Sequence, residues 1–222
     1  MATEEERLAA VVEGMEALEG RLVVQEGLKR VYAELAEKKI MSYRMVKVPK
    51  DYYDLTMDQR SQCLAPCSVP QMCKSIVFEN VSWDGDKSLP MKQQMADATN
   101  SRYYLLVVQY NAKFSADKLR LFVTGLRPAS DPTRLTRSRC NFQLAGDGEE
   151  LTGFFHNAVC PFGLLNKIPV VLSTACVQVS PRYLYMGGGA VNIKLGMTTA
   201  DLLASTAAVV GDVSEPREGV GA

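Results

Sequence analysis

The segment 103–110, YYLLVVQY, constrains the fold more than any other part of this sequence. It is apolar, aromatic or β-branched at every position but one, and it does not alternate. A strand of that kind has to be covered on both faces. Shorter strand patterns surround it. Residues 42–48 read as a strand that stops at Pro49, and 75–81 as one closed by the turn residues Asp84, Gly85 and Asp86. Three more fall at 168–172, 183–185 and 191–195. Helical signals lie between them. Residues 50–73 read as helix and loop, with Pro66 and Pro70 as breakers, and 84–101 as a polar insertion. Ser115 can cap a helix that runs to Thr124 and ends at Gly125. Thr198 and Asp201 have the spacing that opens a last helix. Irregular interleaving of this kind predicts a mixed α/β (α+β) class, a curved mixed β-sheet flanked by helices.

Both ends of the chain differ from this middle. Thr3 and Glu6 form a capping box, followed by Leu8, Val11, Val12, Met15, Leu18 and Leu22 at helical spacing. Residues 1–20 hold six glutamates against Arg7, a net of −5, and Gly14 and Gly20 weaken the helix. A second amphipathic segment puts Leu28, Val31, Tyr32 and Leu35 on one face and ends near Lys38 and Lys39. These two segments can pack on the body or serve as an arm that docks a partner. From Val209 onward no core-forming pattern is visible, and the tail is expected to be disordered.

The 222 residues suit one domain with arms, or at most two small domains. No apolar run reaches the roughly 18 residues of a membrane helix. The acidic start is unlike a secretory signal, so the expected location is the cytoplasm and the six cysteines are expected as thiols. Cys63, Cys67 and Cys73 lack the paired spacing and nearby histidine of a zinc site, and buried small hydrophobes are the better reading. Acidic and basic residues balance at 25 each. Contact with nucleic acid therefore needs a local patch. One exists at 113–139, where seven basic residues face two acids, a net of +5.

The familiar dinucleotide, P-loop, zincin and nucleophile-elbow signatures are missing. Ser115 and Lys118 mimic an SxxK pair without its companion motifs. Three places can carry chemistry. Lys74 heads a strand in QMCKSIVFEN; it is either a solvated strand end or an ammonium aimed into a cleft. The loop 152–163 can offer consecutive N–H groups to an oxyanion, or be an ordinary turn. The triple glycine 187–189 admits close approach to the backbone, or simply bends a hairpin.

Together these pieces resemble the YbaK/prolyl-tRNA synthetase-associated domain family. MCKSIVFE is similar to that family's lysine-bearing strand. TGFFHNAVCPFGLLNKIPVV is similar to its loop and following strand, and LYMGGGAVNIKLGMTTADLL to its closing strand, turn, strand and helix. The order agrees over residues 28–206, leaving 1–27 as a helical extension and 207–222 as the tail. The resemblance implies hydrolysis of wrongly charged aminoacyl-tRNA, tRNA-Pro foremost, in trans, with no metal and no cofactor. It implies aminoacyl-tRNA as the partner, and a synthetase, a multi-synthetase complex or a second copy as further partners; no membrane is involved.

Carried over by position, the lysine is Lys74, the loop proline is Pro161, and Gly163 follows it. Lys74, Cys160 and Gly163 are the candidate catalytic positions. Candidate substrate contacts are Gly153, His156, Asn157, Ala158, Val159 and Pro161 in the loop, with Met186, Gly187, Gly188 and Gly189 in the turn. Arg134, Arg137 and Arg139 are candidates for the tRNA backbone. The sequence departs from the family at Asn157 and Ala158, where glycines stand, and at Cys160, where serine stands. Asn tolerates a left-handed backbone, Ala does so at a cost, and Cys is a weaker donor but a stronger nucleophile. Two other readings follow: a catalytically weak module that binds tRNA or synthetases, and a hydrolase using Cys160 with His156.

Overall fold

The computed structural model describes residues 3–64 and 67–217. Pro66, expected as a breaker, and the last five residues of the expected tail lie outside the described residues. The chain opens with α1 (Glu4–Glu37), a single helix where two segments were expected. Its capping box is formed: the Glu6 N–H donates to Thr3 Oγ1 at 3.2 Å, and the Thr3 N–H to Glu6 Oε2 at 2.7 Å. Gly14 and Gly20 cost about 1 kcal/mol each relative to alanine, which weakens a helix without breaking it, and no proline occurs before Pro49. The helix therefore runs straight through the boundary expected at residues 27 and 28. Its last third is packed. Val31 and Leu35 are fully buried, whereas Val11, Met15, Leu18 and Leu22 are more than half exposed.

Next come β1 (Tyr43–Lys47), a 3-10 turn at Tyr52–Asp54, and α2 (Met57–Cys63), capped by Thr56 and Gln59. The central strands are β2 (Cys73–Asn80) and β3 (Tyr103–Gln109), with α3 (Met91–Gln94) between them. They are followed by β4 (Ala112–Phe114), α4 (Ala116–Gly125), β5 (Phe142–Leu144) and α5 (Gly148–Thr152). The last third contains β6 (Val170–Ser173), α6 (Thr174–Val177), β7 (Tyr183–Gly187), β8 (Ile193–Thr198) and α7 (Thr199–Thr206). Two short strands end it, β9 (Val209–Gly211) and β10 (Ser214–Pro216).

The fold is mixed α+β. A five-stranded sheet has the order β5-β2-β3-β6-β9, antiparallel on the β2 side of β3 and parallel on the β6 side. A three-stranded antiparallel sheet has the order β1-β8-β7, and β4 pairs with β10 as a ribbon. Every residue of β3 is buried, as its sequence predicts. Tyr103, Leu105 and Val107 face one core, shared with Val31 and Leu35 of α1 and with Phe154 and Phe162. Tyr104, Leu106 and Val108 face another, shared with Leu119 and Val123 of α4. Each such side chain contributes about 1.5–3 kcal/mol.

The expected tail at 207–222 is corrected by this topology. Val209 pairs with Val171 and Gly211 with Ser173, and Val213 is fully buried beneath α4. The Ser214 and Ser173 hydroxyls lie 2.7 Å apart. Two three-residue strands carry too little period to show in a sequence; pairing with β6 and β4 supplies what local propensity does not. Among the described residues, no helix is long and apolar enough to cross a membrane.

Candidate functional site

The site grows from a gap beside β2. One edge of β2 pairs with β5 only at Phe78–Asn80, and the Ala145 N–H adds a bond to the Val77 carbonyl at 3.0 Å. At the other end, Met72 bridges to Tyr185, which belongs to β7. Between these two covers, Lys74–Ile76 lie on an open edge. Because Val77 turns its carbonyl toward this edge, Ser75 turns its own backbone groups the same way. The gap opens into a cavity of about 540 Å³. Its walls are Lys74–Val77, Tyr110, residues 144–146, Gly148, Glu149, His156, Asn157, Val159 and Gly187. The Ser75 hydroxyl is buried here and has no hydrogen-bond partner among the described residues.

Lys74 is half-buried, and its Nζ donates to the Ala112 carbonyl at 3.3 Å. Burial, and secondarily the charge of Arg217, holds its pKa below that of an ordinary lysine. Arg217 follows β10, and its N–H donates to the Asn111 carbonyl at 2.9 Å. The polar tail gave no sign that an arginine would sit near Lys74.

Opposite Lys74 stands the loop. Asn157 has φ +67°, so the left-handed backbone open to asparagine is the one adopted; Ala158 is not among the residues with positive φ. The His156 N–H donates to Glu149 Oε1 at 2.8 Å, and the Ala158 N–H to the Phe155 carbonyl at 2.9 Å. Among the described residues, the N–H groups of Asn157 and Val159 have no such acceptor, and both residues line the cavity.

The other predicted residues lie behind this wall. Cys160 is fully buried, does not line the cavity, and has its thiol pushed up to about 12 by burial. A neutral thiol closed off from the cavity is a poor nucleophile, so the geometry disfavours catalysis by Cys160, alone or with His156. Pro161 is buried. Gly153 and Gly163 are seized by α1. Arg30 Nη2 donates to the Gly153 carbonyl at 2.7 Å and Nε to the Gly163 carbonyl at 2.8 Å, while Glu34 accepts the Gly163 N–H at 2.6 Å.

The triple glycine does admit a close approach, and what approaches is the protein itself. A Cβ on Gly187 would sit 2.2 Å from the Val159 carbonyl oxygen, and one on Gly189 would sit 2.9 Å from Val31 Cγ2. The Gly189 N–H donates to the Ala158 carbonyl at 3.0 Å. Met186, Gly188 and Gly189 do not line the cavity, and Gly187 does.

Arg134 and Arg137 border a different, shallower hollow of about 550 Å³. Arg134 Nε donates to the Thr124 carbonyl at 2.6 Å, and Arg139 pairs with Asp84 at 2.9 Å. None of the three lines the cavity beside Lys74.

Several residues of the site escaped the sequence reading, Ser75, Tyr110, Glu149 and Lys194 among them. Lys194, the second residue of β8, is 3% exposed. Its Nζ contacts the Tyr53 hydroxyl and lies 3.4 Å from the Asn157 carbonyl oxygen. Burial, then the charge of Arg60, lowers its pKa to about 7. The one sequence signal is its place between Ile193 and Leu195, inside an apolar strand.

No protein-family model matches the chain, and no curated protein matches it in sequence. The likeness is one of fold. A crystal structure described as a candidate trans-editing enzyme for prolyl-tRNA synthetase aligns at a TM-score of 0.63 and 21% identity, covering 85% of this chain and 97% of the other. A hypothetical protein aligns at 0.60 and 19%, covering 84% and 99%. A scaffold from a study of computational epitope grafting aligns at 0.61 and 19%, covering 86% and 98%. At these identities the comparisons establish the fold.

Proposed function

We propose that this protein is an aminoacyl-tRNA deacylase that acts in trans on mischarged tRNA, tRNA-Pro foremost. The observation that carries the reading is the cavity that Lys74 lines together with Asn157 and Val159. In this reading Lys74 holds the tRNA 3′ end through a charge-assisted contact. The N–H groups of Asn157 and Val159 take the ester carbonyl oxygen as it gains charge. The Glu149 carboxylate, on the same wall, suits the α-ammonium of the aminoacyl group. Water attacks, assisted by the terminal ribose hydroxyl, and no acyl-enzyme forms. The ester is already activated, so positioning and two or three N–H donors suffice for several kcal/mol of barrier lowering. Gly153, Gly163 and Pro161 support the loop, and the cytoplasm is the working compartment.

The test is a panel of mischarged tRNAs incubated with the pure protein. Loss of ester label from one or more supports the reading, and loss from none refutes it. A second reading has its own observation. Val11, Val12, Met15, Leu18, Leu22 and Val23 form an exposed apolar face on α1. That face suits a tRNA- or synthetase-binding module with little catalysis, held by a synthetase complex or by a second copy. Co-purification with synthetases, without deacylation, would favour it.

A further inference from the structure

A lysine in the interior is costly unless an acid pairs with it. Burial and the Arg60 charge, not a carboxylate, shape the titration of Lys194 among the described residues. Its Nζ sits 4.5 Å from the Tyr53 ring centre and 5.2 Å from that of Tyr52, so aromatic faces supply part of what an acid would. Apolar replacement of such a group is often neutral or stabilising. Its presence beside the loop draws attention to what it touches.

What it touches is one carbonyl. The Tyr53 hydroxyl reaches the Asn157 oxygen at 2.8 Å, Lys194 Nζ lies 3.4 Å from the same oxygen, and the two side chains contact each other. The Arg60 guanidinium lies over the rings of both Tyr53 and Tyr110, and Tyr110 lines the cavity. The Asn157 carbonyl and the Ala158 N–H belong to one planar peptide unit. Its oxygen end is held by Tyr53 and Lys194, and its N–H end by the Phe155 carbonyl. A plane held at both ends cannot rotate. The N–H groups on either side of it, at Asn157 and Val159, are the ones left for a ligand.

We propose that Lys194 and Tyr53 are positioning residues that lock the Asn157–Ala158 peptide and thereby aim the flanking N–H groups into the cavity. Its consequence for catalysis rests on the deacylase reading; the lock itself does not.

The experiment uses the full chain with Tyr53→Phe, Lys194→Met and the double variant. Residue-resolved hydrogen exchange on the free protein should show the Ala158 amide exchanging about tenfold faster or more in each variant, with the β3 amides unchanged. Deacylation kcat should fall about tenfold while KM stays within about twofold. The double variant should lose no more than the worse single one, because both groups act through one oxygen. Unchanged exchange at Ala158, acceleration spread evenly over β3, or multiplicative losses in the double variant would each overturn the proposal. Tyr53→Phe removes a single oxygen, so the proposal stays testable even if Lys194→Met does not fold. A wild-type protein inactive on every tRNA, with the exchange result intact, would refute the deacylase reading and uphold the lock.

Discussion

The Glu34 carboxylate accepts the backbone N–H of Gly163 at 2.6 Å. One turn earlier on α1, Arg30 takes the same glycine's carbonyl at 2.8 Å. The helix thus grips both polar groups of a single residue, and that residue anchors the far end of the loop facing Lys74.

Gly163 has φ +71°, and a Cβ there would lie 2.6 Å from the Val31 backbone nitrogen. Gly163→Ala should therefore destabilise the protein by about 2–4 kcal/mol, from left-handed strain plus overpacking. Urea unfolding measures this. A midpoint equal to wild type would show that α1 does not press on the loop.

Lys74→Ala should lower deacylation at least about tenfold with the fold intact, since a contact to a charged group is worth about 1.5–3 kcal/mol. Binding needs the ammonium, and the pKa of Lys74 is depressed. Affinity for tRNA should thus be full on the acid side and fade as pH rises, sooner than with an ordinary lysine. Lys74→Arg should flatten that alkaline limb. Binding titrations across pH decide it; identical profiles for lysine and arginine would remove Lys74 from the ligand contact.

Lys194 makes a prediction about stability. Its pKa is about 7 in the folded protein, against the ordinary lysine value of 10.5 when unfolded. Below both values the folded protein buries a charge beside Tyr52, Tyr53 and Arg60, and the penalty is complete. Between them the unfolded chain binds more protons, so stability rises with pH. Lys194→Met should hence raise stability most below about pH 7, on the order of a few kcal/mol, with the gain shrinking toward about pH 10. Thermal melts over that range test the sign. A gain that grows with pH would contradict it.

Deleting residues 1–24 should leave the body folded. The exposed face from Val11 to Val23 precedes the packed segment that begins at Gly27. The midpoint should move by less than about 3 °C, whereas deletion through Leu35 should abolish folding. Sedimentation of the shorter chain also shows whether the arm pairs copies.

Replacing Arg134, Arg137 and Arg139 together by glutamine should flatten the salt dependence of tRNA binding. The log–log slope should fall by about 0.7–0.9 for each phosphate that the protein no longer neutralises. An unaltered slope would return these residues to internal roles, such as the bonds they already make to Thr124 and Asp84.

Strand β3 was legible because burial on both faces leaves an unbroken apolar run. The caps at Thr3 and Thr198 were legible because their logic is local, whereas Ser115 stands at the head of α4 without a side-chain capping bond and the box of Thr56 and Gln59 went unread. Strands β4, β5, β9 and β10 were not, since three residues of any composition can become a strand where an edge awaits them. The 191–195 expectation shifted to Ile193–Thr198 because Val191 lies before the strand. At the site, Lys74 and the loop emerged from motif order. Lys194 did not, because a lysine in a strand ordinarily points to water. Nor did Arg30, Glu34 and Arg217, whose partners are distant in the chain.

The parallel pairing of β9 with β6 has a consequence for synthesis. Until residues 209–211 leave the ribosome, β6 presents a bare edge, and an edge of that kind invites pairing with another molecule. The loop closing on α1 spans 133 residues of sequence, so little of the site can assemble from nearby contacts. High contact order slows folding. A nascent chain stalled near residue 200 should accordingly hold its cavity half-built and its sheet open, and should be a stronger chaperone client than the finished protein.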